Sequence, residues 1–123
     1  MLPDMNHAQS VQKLQKKITA IKDQLLRLDR MRPGSISRQY NVCGKPGCRC
    51  KDPENPKRHG PYCQLNYVFR GKKKSQFIRA EFVASVNAEL ANFKKFRRLT
   101  DLWISLALEL ADLELKSKPR GPR

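Results

Sequence analysis

Apolar positions recur at helical spacing towards both ends of the chain and at strand spacing in its middle. Val11, Leu14, Ile18, Ile21, Leu25 and Leu28 alternate steps of three and four residues. This is an a/d seam kept for about three heptads, with Lys, Gln, Arg and Asp on its flanks. It predicts a coiled-coil-like helix of about 25 residues, roughly 37 Å long, stopped by Pro33-Gly34. A second, longer helix is predicted from Glu81 to about Lys116. Phe82, Val86, Leu90, Phe93, Phe96, Leu99, Trp103, Leu106, Leu110 and Leu113 again recur at three and four. Leu102, Ile104 and Leu108 widen that stripe, so the helix is expected to bury against more than one neighbour.

Between the helices the period falls to two. Ile36, Arg38, Tyr40 and Val42 alternate with Ser35, Ser37, Gln39 and Asn41, and Leu65, Tyr67 and Phe69 alternate with Gln64, Asn66, Val68 and Arg70. Gly71-Lys72 reads as a turn into a third strand, Lys74 to Arg79. The alternation makes Tyr67 and Phe69 core residues. The resulting fold class is α+β: an N-terminal helix, a small three-stranded antiparallel sheet with a zinc-knuckle-like insert, and a long C-terminal helix packing back as a helical hairpin. One domain is expected, with segments 1–31, 32–80 and 81–116 and a disordered tail, 117–123.

Composition sharpens this picture. With 123 residues, 39% hydrophobic and 30% charged, the chain is too short for a large catalytic α/β fold, and its core must be thin. Such a core needs a metal, disulfides or a partner chain. Met1 to Ser10 lacks the apolar stretch of a signal peptide. The most apolar stretch, Leu102 to Leu115, is broken by Glu109, Asp112 and Glu114 and is too short to span a bilayer. A cytoplasmic location without membrane partners is therefore expected, where cysteines serve metals rather than disulfides.

The strongest chemical signal is Cys43-Gly-Lys-Pro-Gly-Cys48-Arg-Cys50, followed by His59-Gly-Pro-Tyr-Cys63. Zinc takes four tetrahedral sulfur or nitrogen ligands, and the Gly/Pro turn can aim three thiolates at one point. Cys43, Cys48 and Cys50 are candidate Zn2+ ligands, and His59 or Cys63 would close the site as the fourth.

Charge supplies the second signal. The net charge is +15, and residues 32–80 hold 12 basic groups against 2 acidic ones. A basic sheet with a basic hairpin can follow phosphates, while aromatics or arginines meet bases. Arg38, Arg49, Arg58, Arg70, Lys72, Lys73 and Lys74 are the candidate nucleic-acid contacts. The helical seam offers a homodimer or protein-partner surface as well as an intramolecular one. No catalytic triad, phosphate-binding loop or suitably spaced carboxylate pair is present, so no enzyme is expected.

The run Pro33-Gly34-Ser35-Ile36-Ser37, Tyr40, CGKPGCRC, His59-Gly60-Pro61-Tyr62, a GKK hairpin and a long helix resembles a family of small basic bacterial proteins of unknown function. The resemblance covers about residues 32–115, and its specific part is CGKxxCRC with HGPY. It implies a zinc-ribbon-like or knuckle-like insert between two helices, with ligands at Cys43, Cys48, Cys50 and His59. Cys63 stands where that family is expected to carry an aromatic. The resemblance also implies an association with transposase and other mobile-element genes, and it implies no activity. A three-stranded sheet with a basic hairpin leading into a helix is similar in outline to the arm-site-binding domains of tyrosine recombinases, a likeness of fold only. Nucleic-acid binding, DNA ahead of RNA, is the expected function. The alternative is a helical adaptor that assembles or tethers a nucleoprotein complex.

Overall fold

The structure is a computed structural model and describes residues 5–41 and 44–117. It is α+β. Helix α1 spans Met5–Leu26, strands β1, β2 and β3 span Ser35–Asn41, His59–Phe69 and Lys72–Ile78, and helix α2 spans Val83–Ser117. Short 3-10 turns cover Arg49–Lys51 and Ala80–Phe82. The expected tail lies, beyond Ser117, outside the described residues. The chain divides into two compact units: Met1–Asp29 with Lys94–Arg123, and Arg30–Phe93. The long helix is shared between them, dividing at Phe93/Lys94.

In the first unit the predicted seam faces inward. Leu14, Ile18 and Ile21 are buried, as is Leu99 of α2, while Val11, Leu25 and Leu28 are half-buried. Lys13 and Leu14 line a groove with Asp112 and Leu113, and Ile18 and Lys22 line the next with Trp103 and Leu110. The helices are therefore antiparallel, and the Lys22 ammonium lies 5.1 Å from the Trp103 ring centroid. Helix α1 ends at Leu26, earlier than its apolar spacing predicts. Arg27 and Leu28 bond back to Gln24 and Leu25 in 3-10 fashion, a common way to tighten a last turn. Leu102, Ile104 and Leu108 are 47%, 58% and 62% exposed, against the expectation that they meet a second neighbour. An antiparallel pair covers only one stripe of each helix, and nothing among the described residues covers the other.

In the second unit the sheet order is β1-β2-β3, antiparallel throughout. Leu65, at the centre of the central strand, is fully buried and packs with Val86 and Leu90 of α2. Ile36, Tyr67 and Ile78 border this cluster. The chain enters β1 through Arg30 to Arg32, which α2 holds at three points. Asn92 Nδ2 donates to the Arg30 carbonyl at 2.8 Å, the Arg32 amide donates to the Glu89 carbonyl at 3.1 Å, and Arg32 pairs with the Glu89 carboxylate at 3.2 Å. Pro33 then keeps Arg32 out of the helical region.

Two strands differ from their predicted extents. β2 starts at His59, not Gln64, and β3 starts at Lys72, not Lys74. A two-residue turn at Arg70-Gly71 joins them, with φ positive at both residues (51° and 78°), as a type I′ turn requires. Phe69, expected in the core, is 59% exposed. It is the last residue of β2, beyond the reach of the Leu65 cluster, and the Arg70 guanidinium lies 5.1 Å from its ring centroid.

Candidate metal centre and basic surface

The segment between β1 and β2 builds a small knuckle. Pro46-Gly47 forms a turn, and Cys50 sits in the following 3-10 turn, 2% exposed. The Lys51 amide donates to the Cys48 carbonyl at 3.0 Å, and the Lys57 amide to the Arg49 carbonyl at 2.9 Å. The second bond closes the polar loop and returns the chain to His59. There Asn41 pairs with His59 across a bulge in β1, and Gly60 follows with φ of +129°. A Cβ at Gly60 would stand 2.7 Å from the Gln39 carbonyl oxygen, so only glycine lets the two strands close beside His59.

The result brings Cys48, Cys50 and His59 together, with their ligand atoms all within 4.8 Å of one another. Cys48 Sγ and His59 Nε2 are 3.2 Å apart. In a tetrahedral zinc site, bonds of about 2.3 Å to sulfur and 2.0–2.1 Å to nitrogen separate ligand atoms by roughly 3.5–3.8 Å. These three residues are close enough to bind a metal ion. With the buried thiol of Cys50 beside them, two sulfurs and an imidazole form a donor set that suits a soft metal. Cys43 lies outside the described residues. Cys63 is not part of the group: it sits within β2 opposite Arg38 and Ile78. That parity is the one of Leu65 and Tyr67, on the side of the sheet packed against α2.

Of the candidate nucleic-acid contacts, Arg70, Lys72, Lys73 and Lys74 gather at the β2–β3 hairpin, and Arg49 and Arg58 belong to the knuckle. All are exposed, as are Lys45, Lys51, Lys57 and Arg38. Among the described residues none of these ten makes an ion pair, whereas Arg32 pairs with Glu89 and Arg79 with Glu81. The three consecutive lysines do not share a face. Lys73 pairs with Val68 on the open side of the sheet, whereas Lys72 and Lys74 pair with Phe69 and Tyr67 on the other. Arg38, opposite Cys63, stands apart from both clusters.

The open side of the sheet is polar and aromatic. Asn66 Nδ2 donates to Ser37 Oγ at 3.1 Å and accepts at Oδ1 from Ser75 Oγ at 2.8 Å, which ties the three strands together. Gln39 Nε2 donates to Gln64 Oε1. Tyr62 and Phe77 meet edge to face, with ring centroids 6.3 Å apart at 70°. Sequence reasoning passed over Phe77. The signal that finds it is its parity: it pairs with Gln64, one step from the buried Leu65.

The region described so far has a family. The chain belongs to the family described as a domain of unknown function (DUF6788), which matches residues 11–88. The match begins in the α1 seam, takes in the knuckle and the hairpin, and ends in the first turns of α2. No curated protein and no solved structure matches the chain significantly. Among the described residues no helix is long and apolar enough to cross a membrane.

Proposed function

We propose that this protein binds nucleic acid without catalysis, DNA in preference to RNA, as an accessory or regulator of a mobile element. What carries the reading is the arrangement of exposed cations, without an ion pair among the described residues, at both ends of one strand. The knuckle cluster adjoins His59 and the hairpin cluster adjoins Phe69, ten residues on. At about 3.3 Å per residue they are separated by roughly 33 Å, about one helical turn of duplex DNA. Phosphates would meet ammonium and guanidinium groups that no carboxylate already engages.

In this reading zinc holds the knuckle. Its ligands are Cys48, Cys50 and His59, with Cys43, five residues before Cys48, as the fourth. The metal closes a loop that carries Lys45, Arg49, Lys51, Lys57 and Arg58, and so fixes where those charges lie.

The test is a salt-dependent titration of the protein against duplex DNA. Counterion release gives a slope of log K against log salt of about −0.9 per phosphate contact, so four to six contacts give roughly −4 to −5. Changing Lys72, Lys73 and Lys74 together to Gln should flatten that slope by up to about 3. An unchanged slope would move the contact elsewhere, for example to Lys94, Lys95, Arg97 and Arg98. A second reading, a helical adaptor, draws on the exposed Ile104, Leu108 and Leu115 of α2. It requires no affinity of the protein alone for nucleic acid at about 150 mM salt, roughly physiological ionic strength.

A further inference from the structure

Tyr62 and Phe77 are 42% and 64% exposed, and on the open side of the sheet they contribute nothing to the Leu65 core. Their edge-to-face contact leaves ring faces uncovered. With Asn41, Lys45, Cys48 and His59 they line an open cavity of about 690 Å³, within the range of small-ligand sites. Lys45 brings a cation to the cavity wall, and the knuckle segment to which it belongs holds five basic residues against Asp52 and Glu54. An aromatic platform beside a cationic rim is complementary to a flat ring attached to a phosphate.

We propose that this cavity takes an unpaired nucleobase of a single-stranded nucleic acid, stacked on Phe77 beside Tyr62, with Lys45 meeting the adjoining phosphate. The inference rests on the nucleic-acid reading above and adds to its phosphate contacts a site for a strand whose bases are accessible. Duplex bases are already stacked and cannot present their faces to a protein ring, whereas single strands are held by a basic groove plus aromatic stacking. Asn41, at the cavity wall, offers both a donor and an acceptor to a base edge. The metal ligands Cys48 and His59 form another part of the wall, so the knuckle that carries the cations also shapes the stacking site.

The experiment is a fluorescence-anisotropy titration of the full chain, as purified with its metal, at constant salt. The probes are a 15-nucleotide oligo-dT, a 15-nucleotide oligo-U and a 15-base-pair duplex. Phe77→Ala should weaken single-strand binding by about 5- to 160-fold, the range for losing one base–aromatic stack, and leave the duplex affinity and the salt slope unchanged. Phe77→Trp should retain the affinity. Phe77 is largely exposed, and an unchanged unfolding midpoint checks that the alanine variant is folded. Tyr62→Ala gives an independent loss on the same probes. If the protein binds DNA but both alanine variants bind oligo-dT and oligo-U as tightly as the parent, the stacking site is wrong while the nucleic-acid reading stands. A parent that binds none of the three probes overturns both. Equal loss on oligo-dT and oligo-U places recognition on the base; a loss confined to oligo-U would make the ribose part of the site.

Discussion

At the scale of single residues, Arg70 serves two demands that pull apart. It occupies a left-handed conformation, φ of 51°, which costs a residue with a Cβ roughly 1–2 kcal/mol. Asparagine tolerates that conformation better, and Asn-Gly is a favoured pair for this turn. Arg70→Asn should therefore stabilise the hairpin by up to about 1 kcal/mol, read as a rise of a few degrees in the unfolding midpoint. The same change removes a guanidinium from the proposed contact surface, so binding should weaken and the salt slope should flatten by about 1. Stability and affinity are expected to move in opposite directions. A midpoint that falls would mean that the Arg70–Phe69 ring contact outweighs the backbone strain.

At the scale of elements, burial separates residues that the apolar spacing treats alike. Leu99 is 2% exposed and Ile104 is 58% exposed, although both belong to the wide apolar face of α2. Leu99→Ala should cost about 2–5 kcal/mol through lost burial and an unfilled cavity, whereas Ile104→Ala should stay within about 0.5 kcal/mol. Urea midpoints of the two variants check the difference. Similar losses at both positions would mean that Ile104 is covered in solution, by a second chain or another partner. On the sheet, by contrast, one buried leucine at the centre of β2 organises everything, because its parity assigns every neighbouring side chain to the packed side or the open side.

At the scale of the molecule, the Arg30–Phe93 unit has a small core. Leu65, Val86 and Leu90 are its buried cluster, which is little to hold three strands and a loop of charged residues. Small domains of this kind draw stability from metals, and metal binding is then folding energy. One zinc per chain is expected. Cys48→Ser and His59→Ala should release it, whereas Cys63→Ser should keep it, as measured by metal analysis of the purified variants. Chelation should lower the unfolding midpoint of this unit by more than about 10 °C, corresponding to a few kcal/mol for a domain of this size. Most of the helical circular-dichroism signal should survive, because α1 and the second half of α2 belong to the other unit. Metal loss without a change in midpoint would make the centre incidental to folding.

The periodic patterns alone were enough to read two helices and three strands, their order and the inward seam of α1. Side-chain period and heptad spacing are local properties, so they survive without knowledge of any neighbour. The gathering of Cys48, Cys50 and His59 was legible too, because a Pro-Gly turn restricts what a short loop can do. Register and coverage were not local. That β2 begins at His59 follows from its pairing with Asn41 and the glycine that lets the strands close. The exclusion of Cys63 from the cysteine–histidine group follows from its place inside the sheet, between Arg38 and Ile78, whereas His59 stands at the start of the strand. Exposure of Phe69, Ile104 and Leu108 depends on where the packed partner ends, and an apolar side chain carries no information about that. Phe77 and Tyr62 share one cavity wall because β2 and β3 align them across the sheet, far apart though they are in the chain.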